Sequence, residues 1–415
     1  MIRSLPASPD LNKLKREAKT LLKAIRCGDV DLSEFDDGPP LKPESAKLSD
    51  AQWVLARSYG FESWTALRQH VEVVRGLSQT LPGIVATKAS LRKAAREDDA
   101  AAIQSILIQD RALLKDWKPL MDACYHGHVE AIEALAEAGA DVNMQSTSNW
   151  RHRPLHRVIE YKKTYPRVER HEEAVRILLE YGADPMLRGC HGDVTALQLA
   201  ATGETRFVPV LVDAIREQHG ALDIFHAAVV GDLPRVKALL EDDPALASAR
   251  DDIGRTALMY AGWSQLHKDS QEKSEELCAI ARLLIEHGAD VHSSRLYEGK
   301  WPVPVLYYPT GGSNHPTFAR IILEAGASIR DGESLYHSVE NMYDDCLNLL
   351  ASYASPEDLA EEATSILHSH IHWGIYRGVK WLLEHGANPN ATFGEDGTTA
   401  LHEAASRGAN DRILD

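Results

Sequence analysis

One short phrase recurs along the 415-residue chain: an apolar run, then Gly-Ala, and then often Asp. Five copies read ALAEAGAD, ILLEYGAD, LLIEHGAD, IILEAGAS and WLLEHGAN, and a weaker copy reads IREQHGAL. Their glycines are Gly139, Gly182, Gly288, Gly326, Gly386 and, in the weaker copy, Gly220. Successive glycines are separated by about one or two periods of roughly 33 residues. Such a period indicates an array of repeated units, which constrains the fold more than any single motif does.

A second phrase lies at a constant position between these copies. It reads RPLHRVIE from Arg153, TALQLAAT from Thr195, TALMYAGW from Thr256 and TALHEAAS from Thr399, with cruder versions from residues 119, 223, 333 and 365. Thr or Ser caps the start of a helix, and the small residues permit close helix packing. The glycine of the first phrase then ends a second, leucine-rich helix in a left-handed conformation. Each unit is therefore predicted to be a helix–turn–helix.

Together the two phrases resemble the ankyrin-repeat family over residues 89–415. The resemblance implies an all-α solenoid, in which helix–turn–helix units are joined by short hairpin loops. We count about nine to ten units, irregular and interrupted by insertions. The last unit is incomplete, because residues 399–415 hold a first helix and only the start of a second. Either this unit is degenerate or the natural chain is longer.

Residues 1–80 are predicted to form a separate helical region. Leu11, Leu14, Ala18, Leu22 and Ile25 recur at helical spacing before a glycine stop, and two further segments, SDAQWVLARSYG and SWTALRQHVEVVRGL, each open with Ser. This region resembles the helical N-terminal segment of many bacterial ankyrin-repeat proteins. Because every repeat in an array needs a neighbour, we expect it to cap the array.

Charge and composition exclude several classes of function. Acidic residues outnumber basic ones 61 to 45, so the formal net charge is −16. A field of that sign repels phosphate backbones and anionic lipids, so we expect neither nucleic acid nor a membrane as partner. The chain has no apolar run long enough to span a bilayer and no apolar secretion signal at its start. Five scattered cysteines fit neither a disulfide framework nor a CxxC metal pair, which favours the reducing cytoplasm.

The family resemblance also points to binding residues. In ankyrin repeats the variable positions are the hairpin tips and the two residues after the small pair of the first helix, and they line a concave groove that commonly binds proteins. Several of these positions hold Trp or Tyr beside ionisable groups, which is typical of binding hot spots. The alternative is that some aromatics pack between units. The candidate groove residues are Tyr125, His126, Trp150, His152, Glu160, Tyr161, Trp263, Glu340, His372 and Trp373.

Three units carry long insertions, at residues 161–173, 263–277 and 297–316. Insertions in a solenoid map to loops on one side, often the binding side. For the first two we favour tolerated loop growth, which costs little entropy. The third holds Trp301, Tyr307 and Tyr308 among prolines and glycines, so we expect an ordered, functional loop rather than a helix.

Histidines are numerous, and the densest group is His368, His370 and His372. On a helix the first and last of these share a face, as in zinc-binding helices. However, His368 occupies the histidine position of the repeat itself, where histidine is structural. We therefore expect no metal site and no cofactor.

No nucleophile motif, Walker loop or dinucleotide-binding fingerprint occurs in the chain. The favoured hypothesis is a non-catalytic scaffold that binds a neutral or basic protein in its groove, because the chain is acidic. The alternative is a small-molecule enzyme with an acid/base site near residues 297–340 and 368–373. Its candidate catalytic residues are Glu333, His337, His372, Tyr307 and Tyr308.

Overall fold

The computed structural model describes residues 5, 11–30, 42–43, 46–74, 84–160, 168–190, 192–394 and 397–406. The chain divides into two compact units. The first comprises Met1–Ala200 with Arg206–Ala221, and the second comprises Ala201–Thr205 with Leu222–Asp415.

The first unit opens with three helices, as the apolar spacing predicted: α1 (Leu11–Arg26), α2 (Leu48–Ser58) and α3 (Trp64–Val74). Leu14, Ala18, Leu22 and Ile25 lie on one face of α1 and are buried. They pack in one apolar cluster with α2 and α3, which lets short helices of modest propensity remain folded.

Helix pairs follow in the same unit, each a short first helix and a longer or equal second helix. First helices pack on first helices and second helices on second helices, for example α6 on α4 and α7 on α5. The pairs are α4 (Lys88–Arg96) with α5 (Ala100–Gln109), α6 (Lys118–His126) with α7 (Val129–Glu137), α8 (Pro154–Ile159) with α9 (Val168–Glu180), and α10 (Ala196–Ala201) with α11 (Val208–His219).

The N-terminal helices contact the second helices of this unit through ion pairs. The Glu137 side chain on α7 is fully buried and meets Lys15 Nζ at 3.0 Å and Arg68 Nη1 at 3.5 Å. Further along α1, Lys19 pairs with Glu180 at the end of α9, and Arg26 pairs with Glu217 on α11. Three successive repeats are thus tied to one helix through their second helices.

The second unit continues the pattern. Its helices are α12 (Ile224–Val229) with α13 (Leu233–Asp242), α14 (Ala257–Trp263) with α15 (Gln271–Glu286), α16 (Pro316–Glu324), α17 (Ser334–Asn341) with α18 (Asp344–Tyr353), α19 (Pro356–His372) with α20 (Tyr376–Glu384), and α21 (Ala400–Ser406). The long interval before Gly386 therefore contains two helix pairs, as the repeat period predicted.

The third insertion is not the loop that its composition suggested. Strand β1 (Ser294–Tyr297) pairs antiparallel with β2 (Trp301–Pro304), and the chain then forms a 3₁₀ turn (Val305–Tyr307) and a π-helical turn (Tyr308–Gly312). Val305, Leu306 and Tyr308 are buried, and the turns pack between α14 and α17. Burial of this apolar run overrides its helix-breaking residues, so the turns take the place of a first helix. A second hairpin, β3 (Thr392–Phe393) with β4 (Thr398–Thr399), precedes α21.

The residues of the two repeat phrases have the local roles predicted for them. Thr256 caps α14, where its hydroxyl accepts from Met259 N at 3.3 Å. Gly139 and Gly386 follow second helices with φ of 94° and 93°, a region that disfavours residues with a side chain. The pattern histidine His156 is buried, and its Nε2 bonds to the Val194 carbonyl in the next hairpin at 2.8 Å. Burial lowers the pKa of His156 to about 4, so it is a neutral structural group.

Candidate functional site

The first helices α4, α6 and α8 and the hairpin before α8 enclose an open pocket of about 520 Å³ in the first unit. We call it the aromatic pocket. It is lined by Arg92, Trp117, Met121, Asp122, Tyr125, Ser146, Ser148, Trp150, His152, Arg157 and Glu160. Side chains of the hairpin and side chains of the first helices thus line the pocket together.

Three aromatic side chains form its apolar walls. The Trp117 indole is fixed by a hydrogen bond from Nε1 to Thr147 Oγ1 at 3.1 Å. The Tyr125 ring is covered by the Arg157 guanidinium, whose carbon lies 4.0 Å from the ring centroid. Trp150 is 58% exposed on the hairpin and stacks on His152 with ring centroids 6.2 Å apart. A large exposed apolar ring beside two anchored rings is typical of a binding surface.

The charged groups of the pocket are ordered by one another. Arg92 and Arg96 both donate to the Asp122 carboxylate, the latter at 2.8 Å. The hydrogen bond with Asp122 raises the pKa of Arg92. His152 bonds to Glu160 across α8. Because these side chains are held in place before any ligand arrives, binding would cost little side-chain entropy.

A second open pocket of about 550 Å³ adjoins the first and shares Arg92 with it. We call it the basic pocket, because five of its lining side chains are basic and two are acidic. It is lined by Lys88, Ala89, Arg92, Lys93, Arg96, Glu97, Asp116 and Lys118.

Most sequence-predicted groove residues of the first unit meet in the aromatic pocket. Tyr125, Trp150, His152 and Glu160 all line it. His126 does not, since it stacks on His128 with centroids 5.2 Å apart, and burial and then His128 lower the pKa of His126. Tyr161, with most of the first insertion, lies outside the described residues.

The groove candidates of the second unit are dispersed. Trp263 is half-buried and packs on Tyr308 at 5.8 Å under the Arg255 guanidinium, which is the packing role we considered as the alternative. Glu340 is exposed but bonds to His337 at 2.7 Å. Trp373 is 67% exposed.

Four of the five proposed enzyme residues, Glu333, His337, Tyr307 and Tyr308, adjoin one another, and the fifth, His372, does not join them. His337 bonds to Glu333 and Glu340, and its ring lies 5.1 Å from that of Tyr307. Burial opposes protonation of His337, but the two carboxylates outweigh it and raise its pKa. Tyr308 is buried beside Arg255 and Arg295, and burial raises the pKa of its phenol.

His372 lies elsewhere. Its Nδ1 bonds to Glu403 on α21 at 2.8 Å, and His368 contacts the same carboxylate at 3.5 Å. A carboxylate therefore lies beside this histidine pair, although residues 363–377 contain no Asp or Glu. In the part of the chain that the structure describes, no group of three or more His, Cys, Asp or Glu side chains is arranged to hold a metal ion. None of the described helices is long and apolar enough to cross a bilayer.

Sequence reasoning missed seven residues that also line the aromatic pocket: Arg92, Trp117, Met121, Asp122, Ser146, Ser148 and Arg157. A signal was available for two of them. In the repeat phrase Thr-Pro-Leu-His, the histidine position is held by Met121 in one unit and by His156 in the next. Asp122 and Arg157 directly follow that position. The position of Asp122 and Arg157 also faces the groove, one helical turn before the residues that the family pattern nominated.

Comparison with known proteins agrees with the repeat pattern at both ends of the array. Residues 91–189 match a family model described as ankyrin repeats in three copies, and residues 367–414 match one described as ankyrin repeats in many copies. The chain contains ankyrin repeats. The first match includes every residue of the aromatic pocket, so this pocket lies within ankyrin repeats.

One curated relative is human 2-5A-dependent ribonuclease, which is 31% identical over 97 residues. The match covers 23% of this chain and 12% of that protein. The chain therefore spans about an eighth of the length of this relative.

Proposed function

We propose that this ankyrin-repeat protein is a non-catalytic scaffold that binds a segment of a protein partner in the aromatic pocket. The observation that carries the proposal is Trp150, a tryptophan 58% exposed at the rim of a pocket whose other walls are Trp117 and Tyr125. Covering these rings would remove apolar area from water at about 25 cal/mol per Å².

The composition of the pocket supports a protein partner. Trp, Tyr and Arg are the residues that most often dominate protein–protein binding energy, and all three are present here. Ankyrin repeats generally mediate contacts between proteins. The enzyme alternative at Glu333, His337 and Tyr307 stays a prediction.

The N-terminal helices have a separate role in this proposal. Their ion pairs to α7, α9 and α11 support a stabilising role, in which these helices hold the second helices of the first unit together. The first helices are then left free to bind a partner. We propose that this region spans residues 1–80.

The location proposed for the protein is the cytoplasm. The cysteines are free thiols, and Cys124, Cys190, Cys278 and Cys346 are buried. Burial raises the pKa of Cys190 and Cys278 to about 11, which makes these thiols unreactive. A bacterial origin stays a prediction.

An affinity capture from the native cytosol tests the scaffold proposal. The baits are the full chain, its Trp150→Ala variant and its Trp301→Ala variant. Trp301 is a matched control, because it is 59% exposed on the hairpin of the second unit. We expect a protein that the wild type and Trp301→Ala retain and that Trp150→Ala loses. Equal retention by Trp150→Ala would contradict a role for the pocket, and an empty capture would favour a small-molecule ligand.

A further inference from the structure

The local charge of the binding face is opposite to the charge of the chain. The chain has a net charge of −16, yet the basic pocket has five basic and two acidic side chains. At physiological ionic strength charges further away than about 8 Å are largely screened, so the nearby groups decide which ligand is attracted. The acidity of the whole chain is therefore a poor guide to the partner.

Several of these basic groups remain available to a ligand. Among the described residues, Lys88 and Lys118 are exposed and have no carboxylate partner for their ammonium groups. Arg92 and Arg96 share the single carboxylate of Asp122, which leaves one positive charge in excess.

The aromatic pocket also contains a basic group that is available to a ligand. Its Arg157 lies over the Tyr125 ring, and within the described part of the chain no acidic side chain pairs with it. The guanidinium edge can therefore donate to a ligand oxygen while its face stays on the ring.

The arrangement fits separate carboxylates better than a continuous phosphate backbone. Asp116, Asp122 and Glu160 lie among the basic groups of the two pockets, and a nucleic-acid strand along this face would pass each of them. A peptide can place an acidic side chain against Lys88 and Lys118 and an apolar one against Trp117 and Trp150. The peptide can place neutral side chains against Asp116, Asp122 and Glu160.

We propose that the partner segment is acidic and that it places Asp or Glu in the basic pocket beside an aromatic residue in the aromatic pocket. This inference rests on the proposed function of the aromatic pocket. It replaces the expectation of a neutral or basic partner, which came from the net charge of the whole chain.

Selection of random peptides displayed on phage, with the immobilised full-length protein, tests the proposal. We expect the enriched peptides to contain Asp or Glu next to Trp, Tyr or Phe. A synthetic copy of the strongest binder is then measured against Lys88→Gln/Lys118→Gln, which should weaken binding about tenfold through the loss of two charge-assisted contacts. The matched control, Lys237→Gln/Lys380→Gln, removes two exposed lysines from second helices and should leave binding within about twofold.

The outcomes separate this inference from the proposed function. Enrichment of Lys- or Arg-rich peptides that Trp150→Ala no longer binds would overturn the acidic partner and leave the pocket as a protein-binding site. Enriched peptides that bind Trp150→Ala as well as the wild type, or no enrichment at all, would overturn both. Displacement of the selected peptide by polyuridylate at equal mass, with the same dependence on Lys88 and Lys118, would favour nucleic acid and overturn the inference.

Discussion

At the scale of single residues, the binding face depends on side chains that order one another. Tyr125 was predicted from the repeat pattern, but the Arg157 that covers it was not. The pattern specifies which positions face the groove, whereas a contact between α6 and α8 depends on side-chain conformations in two separate units. Such pairings cannot be deduced from spacing along one helix.

Glu137 is the residue whose loss should most affect the contact between α1 and the repeats. Its side chain is fully buried against Lys15 and Arg68, so Glu137→Gln removes the buried carboxylate that pairs with both of these basic groups. We expect a loss of about 3 kcal/mol in the free energy of unfolding, measured by urea denaturation of the full chain. Glu133→Gln is the matched control, because Glu133 lies one turn away on α7, contacts Lys15 at 3.6 Å and is partly exposed. A loss in Glu133→Gln as large as that in Glu137→Gln would contradict the account.

Met342 offers a stabilising change. It follows α17 with φ of 51°, where the equivalent residue after α6 is Gly127 with φ of 64°. A side chain in this left-handed region costs roughly 1 kcal/mol. Met342→Gly should therefore raise the free energy of unfolding by up to about 1 kcal/mol, as the midpoint of urea denaturation would report. A lower midpoint would mean that Met342 packing outweighs its backbone strain.

At the scale of elements, the sequence predicted the helix pairs well, because each pair is encoded locally. Thr caps, leucine stripes and terminal glycines lie within one unit, and their positions matched the observed helices. Residues 305–312 were misjudged for a different reason. Their prolines and glycines disfavour a helix locally, but Val305, Leu306 and Tyr308 gain burial between α14 and α17, which local sequence does not reveal.

The packing of this turn can be tested at Gly311. A Cβ added there would lie 2.5 Å from His337 Cβ on α17, which is closer than two non-bonded carbon atoms can approach. Gly311→Ala should therefore destabilise the chain by about 1–3 kcal/mol in thermal or urea unfolding. Gly192→Ala is the control, since its Cβ would have ordinary contacts at 3.7 Å and should change stability by less than about 1 kcal/mol. An unchanged Gly311→Ala variant would show that the turn does not pack closely on α17.

At the scale of the whole molecule, buried histidines should make the protein sensitive to acid. Burial lowers the pKa of His156 to about 4, and burial together with His267 lowers that of His315 to about 3. The unfolded chain binds protons at these residues below about pH 6.5, while the folded chain does not, so stability falls as pH decreases. Each of these two histidines should lower the free energy of unfolding by about 1.4 kcal/mol per pH unit between pH 6.5 and its own folded-state pKa. His337 has the opposite effect, because its pKa is raised in the folded chain. The stability that it contributes is present in acid and is lost as pH rises.

Urea unfolding across a pH series measures this effect. The free energy of unfolding should decrease from neutral pH towards pH 4, and His315→Gln should show a shallower decrease than the wild type. His287→Gln, which removes an exposed histidine, should keep the wild-type slope. Equal slopes in all three proteins would contradict the assignment of His315 as a buried neutral group.

The central claim is that a protein segment occupies the aromatic pocket of the first unit. Hydrogen–deuterium exchange of the full chain, with and without the captured partner or the selected peptide, tests it most directly. The account predicts slower exchange in Lys118–His126, Pro154–Ile159 and the hairpin that holds Trp150, with little change around Trp373. Protection confined to the second unit, with the first unit unchanged, would contradict it.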